Sequence, residues 1–406
     1  MFFLARAVYI LHNAHLQLGH TQPGLAVSLR FPRTGRVKRL WIIETAMNKK
    51  TIATLCFLPA LALGNDGLPP DPDASEQRAQ IYHTPRERRE AGLGTQLTDW
   101  LSLSGLAQIQ ATSFNNMFRN SIPDAGRDNT VSSVQIGVKL ERSEQVEAEI
   151  ILDFEDRKTG SVLDEAFVDL NSGNWGMSVG TQTLPFGAYY SNFITGPLLE
   201  FGETRATALL LSYSYNDSLE FSAFTYQGNA RQQNSEDRIR DWAAAVEAKL
   251  IDNKLLFGAS YISDVADSDA QLLEDFANQY QQHVGAWSAY AVARTGIGEM
   301  SFEVLQATRA FRELPANANQ PRAWNFEIAY YPQKTWQVAA RYERSEKLAG
   351  HPERRYGLAA TWLAFDTITI TCEYLRADFK SGFAFDDDGN ELHQQTLFAT
   401  ELLLEF

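Results

Sequence analysis

The sequence predicts an all-β fold, a transmembrane antiparallel β-barrel of about sixteen strands with its third external loop folded into the lumen. Three features predict it. Short segments alternate apolar and polar residues with a period of two. The connections between them alternate short and long. A segment shaped like a secretory signal precedes them all.

The signal begins at Met47. Lys49 and Lys50 give a positive start, Thr51 to Leu63 a short apolar core, and Ala62-Leu63-Gly64 a small-x-small cleavage site. Residues 1–46 then read as an over-extended start, 47–64 as the signal peptide, 65–97 as a periplasmic extension and 98–406 as the barrel. The extension carries Pro69, Pro70, Asp71 and Pro72, then a charged run from Pro85. Removal of Cys56 with the signal would leave Cys372 alone, so no intrachain disulfide is expected.

Strands are predicted near 98–111, 130–142, 145–156, 162–171, 174–184, 205–215, 218–228, 239–250, 254–263, 285–294, 298–310, 322–332, 335–346, 353–364, 366–378 and 394–406. The third is the clearest. Val146, Ala148, Ile150, Leu152 and Phe154 share one face, and Glu147, Glu149, Asp153 and Glu155 share the other. A helix would scatter those carboxylates around its circumference. Trp324, Phe326, Ile328 and Tyr330 oppose Asn325 and Glu327, and Ile368, Ile370, Cys372 and Tyr374 oppose Thr369, Thr371 and Glu373. The faces of the strands at 205–215, 285–294 and 298–310 stay ambiguous.

Ser143-Glu144, Ser172-Gly173, Asn216-Asp217, Ile251 to Asn253, Thr295 to Ile297, Gln333-Lys334 and Phe365 mark short turns. Longer loops lie near 112–129, 157–161, 185–204, 229–238, 264–284, 311–321, 347–352 and 379–393. Short periplasmic turns and long external loops are the outer-membrane pattern. Tyr and Trp recur at the ends of apolar faces, as at Trp100, Trp242, Trp336 and Trp362. A soluble β-sandwich would also alternate, but a chain this long would need two domains, and no linker divides the strands. The closing Phe398, Thr400, Leu402, Leu404 and Phe406 look like the terminal signal read by the barrel-assembly machinery, with Glu401 where many such signals have Gly.

The charge balance, 36 Lys plus Arg against 50 Asp plus Glu, argues against a nucleic-acid partner. The predicted inward face is acidic: Glu147, Glu149, Asp153 and Glu155 lead a longer series, and Arg341 is among the few cations. Two readings remain open, a cation-preferring pore or charges that merely hydrate the lumen and pair with one another.

The segment Thr181 to Arg205 breaks the alternation. Pro185 ends a strand because it cannot continue the ladder, and Gly187 and Gly196 permit turns. Phe186, Phe193, Leu198 and Phe201 are expected to pack on the barrel interior. Tyr189, Tyr190, Glu200, Glu203 and Arg205 are the candidate pore constriction. The competing reading is a loop closed over the mouth. Asp386 to Glu391 begins like a calcium loop but lacks Gly at its sixth position and Glu at its twelfth, so a solvated acidic loop is expected. No metal ligand, cofactor or catalytic residue is assigned. His83, His283, His351 and His393 accompany no recognised serine motif, so an enzyme is not expected, and an outer-membrane lipase or protease is the minor alternative.

VEAEIILDFED, LDEAFVDL and VGTQTLPFGAYYSNFITGPLLEFGETRATALLLSY, continued by FSAFTYQGNA and TITCEYLRADF, resemble the legiobactin-uptake family of siderophore porins. The resemblance spans most of 98–406, and LPFG…PLLEFGETR is its specific part. It implies an outer-membrane channel for a ferric siderophore or another small solute. The implied surroundings are outer-membrane lipid and lipopolysaccharide, the assembly machinery and a homotrimer. Gly196 stands where the family often has Asp. A general or ion-selective porin is the alternative. A phosphate-selective one would need a ladder of inward Lys and Arg, and a structural or adhesive barrel would have a blocked lumen.

Overall fold

The computed structural model describes residues 95–405 apart from 120–122, 144, 155–161, 217, 229, 231–240, 274–279, 366 and 387. The predicted start, signal and most of the extension, together with Cys56, His83, Glu155 and Phe406, lie outside the described residues.

Among the described residues seventeen strands follow one another: β1 (Thr95–Thr98), β2 (Leu101–Phe118), β3 (Asp124–Ser143), β4 (Val146–Phe154), β5 (Val162–Ser172), β6 (Trp175–Thr183), β7 (Arg205–Tyr215), β8 (Leu219–Gln227), β9 (Asp241–Leu250), β10 (Leu255–Ile262), β11 (Ala286–Thr295), β12 (Gly298–Ala307), β13 (Arg322–Gln333), β14 (Trp336–Glu346), β15 (Arg354–Phe365), β16 (Ile368–Asp378) and β17 (Leu392–Glu405). From β2 onward each pairs antiparallel with the next. β17 returns to β2, with Leu397 opposite Phe114 and Leu402 opposite Ile109. Sixteen strands therefore close on themselves, which leaves no open edge in the apolar layer. The short β1 pairs with the start of β2.

The two sides of the wall reverse the order of a soluble protein. Ile150, Leu209, Phe221, Phe302, Ile328, Leu358 and Tyr374 are exposed, while Glu165, Glu303, Glu327, Glu343 and Glu373 are buried. Exposed apolar side chains on alternate positions form the lipid-facing band, and their neighbours point into the barrel. Aromatic rings edge the band. Trp336 stacks on Trp362 at 5.6 Å beside the short turns, and Trp324 meets Tyr342 at 5.4 Å toward the long loops.

β2 and β3 run well past the predicted ends, through Asn115, Asn116, Asp124 and Arg127. These residues are polar because the hairpin continues beyond the apolar layer, where water replaces lipid and alternation is no longer required. Most of the predicted loop 112–129 is therefore ladder. The turn Ile251–Asn253 is as short as expected, and all three residues are left-handed, with φ of 53, 52 and 62°, a conformation an isoleucine seldom takes. The ambiguous faces resolve: Ala206, Ala208, Ser288, Val292, Glu299, Ser301 and Glu303 are the buried, inward positions.

Candidate functional site

The segment between β6 and β7 is built from its neck inward. Leu184 N–H donates to Thr204 O at 2.9 Å, so the pairing continues one step past the strands. Pro185 then offers no donor. Gly187, at φ 81°, turns the chain and donates its N–H to Ser260 Oγ on β10 at 3.0 Å. From there the backbone is held by carboxylates of strands on the other side of the sheet order. Ala188 and Tyr189 donate to the two oxygens of Glu303 on β12, at 2.8 and 2.9 Å. Asn192 gives its backbone N–H (2.7 Å) and Nδ2 (3.1 Å) to Glu327 on β13. Thr195 gives N–H and Oγ1 to Glu373 on β16. Leu198 gives N–H to Glu343 on β14 at 2.7 Å.

A loop has unpaired backbone donors, and burial is costly unless each finds an acceptor. A carboxylate is a strong acceptor, and such charge-assisted bonds contribute about 1.5–3 kcal/mol each. The buried carboxylates need cations in turn. Arg341, buried on β14, pairs with Glu327 at 2.7 Å and lies 3.7 Å from Glu343. It also donates to Thr195 O at 2.6 Å and to Ser191 Oγ, and covers the Phe193 ring at 4.2 Å. Arg355 on β15 donates to Glu343 at 2.5 Å and to Gly196 O.

Apolar contacts complete the attachment. Phe186, Leu198, Leu199 and Phe201 join a core with Phe224, Tyr226, Ile262 and Leu305. Phe193 seats on Ala329, Ala339, Ala359 and Leu375. Small alanines at three successive strands leave the hollow that the ring fills, so the inner wall is shaped for this segment.

The candidate residues separate into distinct positions. Tyr190 is buried rather than turned to the pore, with Arg294 over its ring at 5.7 Å. Tyr189 is half-buried; burial first, then Glu303, pushes its hydroxyl well above the usual range. Glu200 is exposed yet hemmed in by protein. That desolvation, helped by Glu203, raises its carboxyl to about 7, against the pull of Arg341 and Arg355. Glu203 is raised as well, by burial and then Asp269. A Cβ at Gly196 would lie 1.7 Å from Glu200 Oε1, so the glycine makes room for that carboxylate. Arg205 pairs with Asp164 on β5, at the root of the segment. Arg341 is not a water-facing lining charge; it sits beneath the segment and fastens it.

The opposite wall is open. A cavity of about 350 Å³ is lined by Lys139, Glu147, Glu149, Asp169, Gln182 and Glu220, among others. Its single lining lysine lies 2.9 Å from Glu147, so four carboxylates face one cation. Asp153 accepts from Ser133 at 2.7 Å.

Glu327, Glu343 and Glu373 belong to the inward acidic series expected to line or hydrate the lumen, and instead accept from the backbone of the segment; Glu303 was not in that series. The alternation of Glu299, Ser301 and Glu303 with Met300 and Phe302 carried that signal.

No protein-family model and no curated protein matches the chain. Solved structures do. The outer membrane channel DcaP of Acinetobacter baumannii is 11% identical, covering 77% of this chain and 100% of its own, at TM-score 0.53. An anion-selective porin from Comamonas acidovorans is 10% identical over 75% and 99%, at 0.56. Salmonella typhi OmpF, in complex with daunomycin, is 12% identical over 75% and 97%, at 0.52. The chain has the fold of the outer-membrane porins. With its outward apolar band, it is a protein of the bacterial outer membrane.

Proposed function

We propose that the protein is a diffusion channel narrowed by residues 185–204, with a cation-preferring passage along β3–β8 and a ferric siderophore as its solute. The observation that carries the channel reading is the asymmetry of the inner wall. The segment springs from β6 and bonds to β12, β13, β14 and β16, while the acidic cavity lies on β3–β8. Charged groups lining a water-filled barrel set its ion preference, so the excess of carboxylates favours cations. The siderophore rests on the resemblance, whose specific residues, Leu184 to Gly187 and Pro197 to Arg205, are those that build the narrowing. Assembly as a homotrimer belongs to the same proposal.

Uptake of labelled ferric siderophore tests it in cells with the protein, without it, and with Tyr189 to Leu198 deleted. Uptake that depends on the protein supports the solute; equal uptake in the first two leaves an unspecialised porin. Purified protein lacking those ten residues should show higher single-channel conductance. Unchanged conductance would place the segment outside the conducting path.

A further inference from the structure

We propose that Asp241, Asp264 and His283 form a binding site for a divalent transition-metal cation, Zn²⁺ first among them, at the long-loop end of β9–β11. The topology brings them together. Ile262 at the end of β10 pairs with Ala243 on β9 and Ala286 on β11. Asp241 opens β9, Asp264 lies two residues beyond β10, and His283 lies three before β11. Three neighbouring strands thus deliver one donor each to the same rim. Val265 N–H to Val284 O, at 2.8 Å, ties the two loop ends together.

The donors converge on one ring nitrogen. His283 Nδ1 is 2.8 Å from Asp264 Oδ2 and 3.1 Å from Asp241 Oδ1. One nitrogen carries one in-plane proton and can direct it at one acceptor. Asp264 is wholly buried. Its Oδ1 is fully used, accepting from Tyr280 Oη at 2.5 Å and from Ala266 N–H at 3.1 Å. Its Oδ2, facing the imidazole, receives no directed hydrogen bond. The imidazole nitrogen beside it is shared with Asp241, and a cation placed among the three donor atoms would satisfy both carboxylates at once.

The donor atoms lie within 4.8 Å of one another. A tetrahedral Zn²⁺ with bonds of about 2.0–2.1 Å sets its ligands about 3.3 Å apart, so binding would open the two imidazole–carboxylate contacts by a few tenths of an ångström and bring the two carboxylates to the same separation. One imidazole nitrogen with two carboxylates suits a borderline transition ion better than Mg²⁺ or Ca²⁺, which take oxygen. The outer contacts fit as well. Tyr280 orients Asp264, and Ser263 Oγ donates to Asp241 Oδ1 at 3.2 Å, as groups behind metal ligands do. His283 is partly exposed, at 29% of its side chain, which gives the ion a path and leaves a coordination position for water. A bound ion would hold the ends of β9, β10 and β11 together, and Asp269, five residues beyond Asp264, donates its N–H to Glu203 O of the narrowing segment at 2.8 Å.

The test uses untagged, purified, EDTA-stripped protein titrated with Co²⁺, read by its visible absorption, and with Zn²⁺, read by calorimetry. One equivalent should bind. His283→Gln, on a partly exposed side chain, should weaken binding at least tenfold, and Tyr280→Phe should weaken it less. Far-UV circular dichroism confirms that each variant is a folded barrel. Absence of cobalt bands in the unmodified protein would overturn the site, as would equal affinity in His283→Gln; either result would leave an imidazole–carboxylate ion pair.

Discussion

Two halves of the inner wall carry the same residue type at the same register and do different work. On β12–β16, Glu303, Glu327, Glu343 and Glu373 are buried and bound to backbone donors of a segment that leaves the wall between β6 and β7. On β4–β8, Glu147, Asp169 and Glu220 line an open cavity, with Glu149 buried in its wall and Glu165 buried against Thr183. An inward carboxylate thus faces open space or holds backbone according to what covers it. Removing an anchor should cost stability and change the pore's size. Removing a lining charge should change its selectivity and little else.

The largest effect is expected at Arg341. Arg341→Ala leaves Glu327 and Glu343 short of their central cation, which for a buried pair costs about 3–5 kcal/mol. The denaturant midpoint followed by circular dichroism should fall accordingly, and surviving channels should conduct more as the segment detaches. On the open half, the double change Asp169→Asn and Glu220→Gln, both at the cavity wall, should shift the reversal potential toward lower cation preference, with a smaller loss of stability than Arg341→Ala. If selectivity is unmoved, the cavity wall is not the conducting wall.

The smallest effect is expected on the segment itself, at Glu200. Its carboxyl titrates at about 7 in the folded chain against an ordinary 4.5. Between those values the folded chain holds a proton that the unfolded chain releases. Stability from this group therefore falls as pH rises from 4.5 to 7, and levels off above. Cation preference should rise over the upper part of the same range as the carboxylate forms. Reversal potentials at pH 6 and 8 should differ in the unmodified protein and differ less in Glu200→Gln.

Much of this was legible in the sequence, and the boundary has a physical cause. Alternation in VEAEIILDFE and ITITCEY fixes strands because lipid and water sort side chains at every second position. In the segment that breaks the alternation, apolar type alone pointed to Phe186, Phe193, Leu198 and Phe201 as packing residues, and all four are buried in apolar clusters. Alternation could not separate Arg341 from a lining cation, because its partners Ser191 and Thr195 lie about 150 residues away. Nor could it tell Tyr189 from Tyr190, adjacent rings whose fates depend on a left-handed turn at Tyr189. The trio of Asp241, Asp264 and His283 was illegible for the same reason: pairing of three strand ends, not spacing, brings it together.

The central claim is that the passage runs along β3–β8 and that β12–β16 are sealed by the segment. Two cysteine channels test it most directly, made in a Cys372→Ser background. Ser212→Cys faces the open cavity, and Ser301→Cys occupies a buried inward position on β12. A cationic thiosulfonate added during planar-bilayer recording should reduce the current through Ser212→Cys and leave Ser301→Cys unchanged. Equal block of both would contradict a one-sided passage.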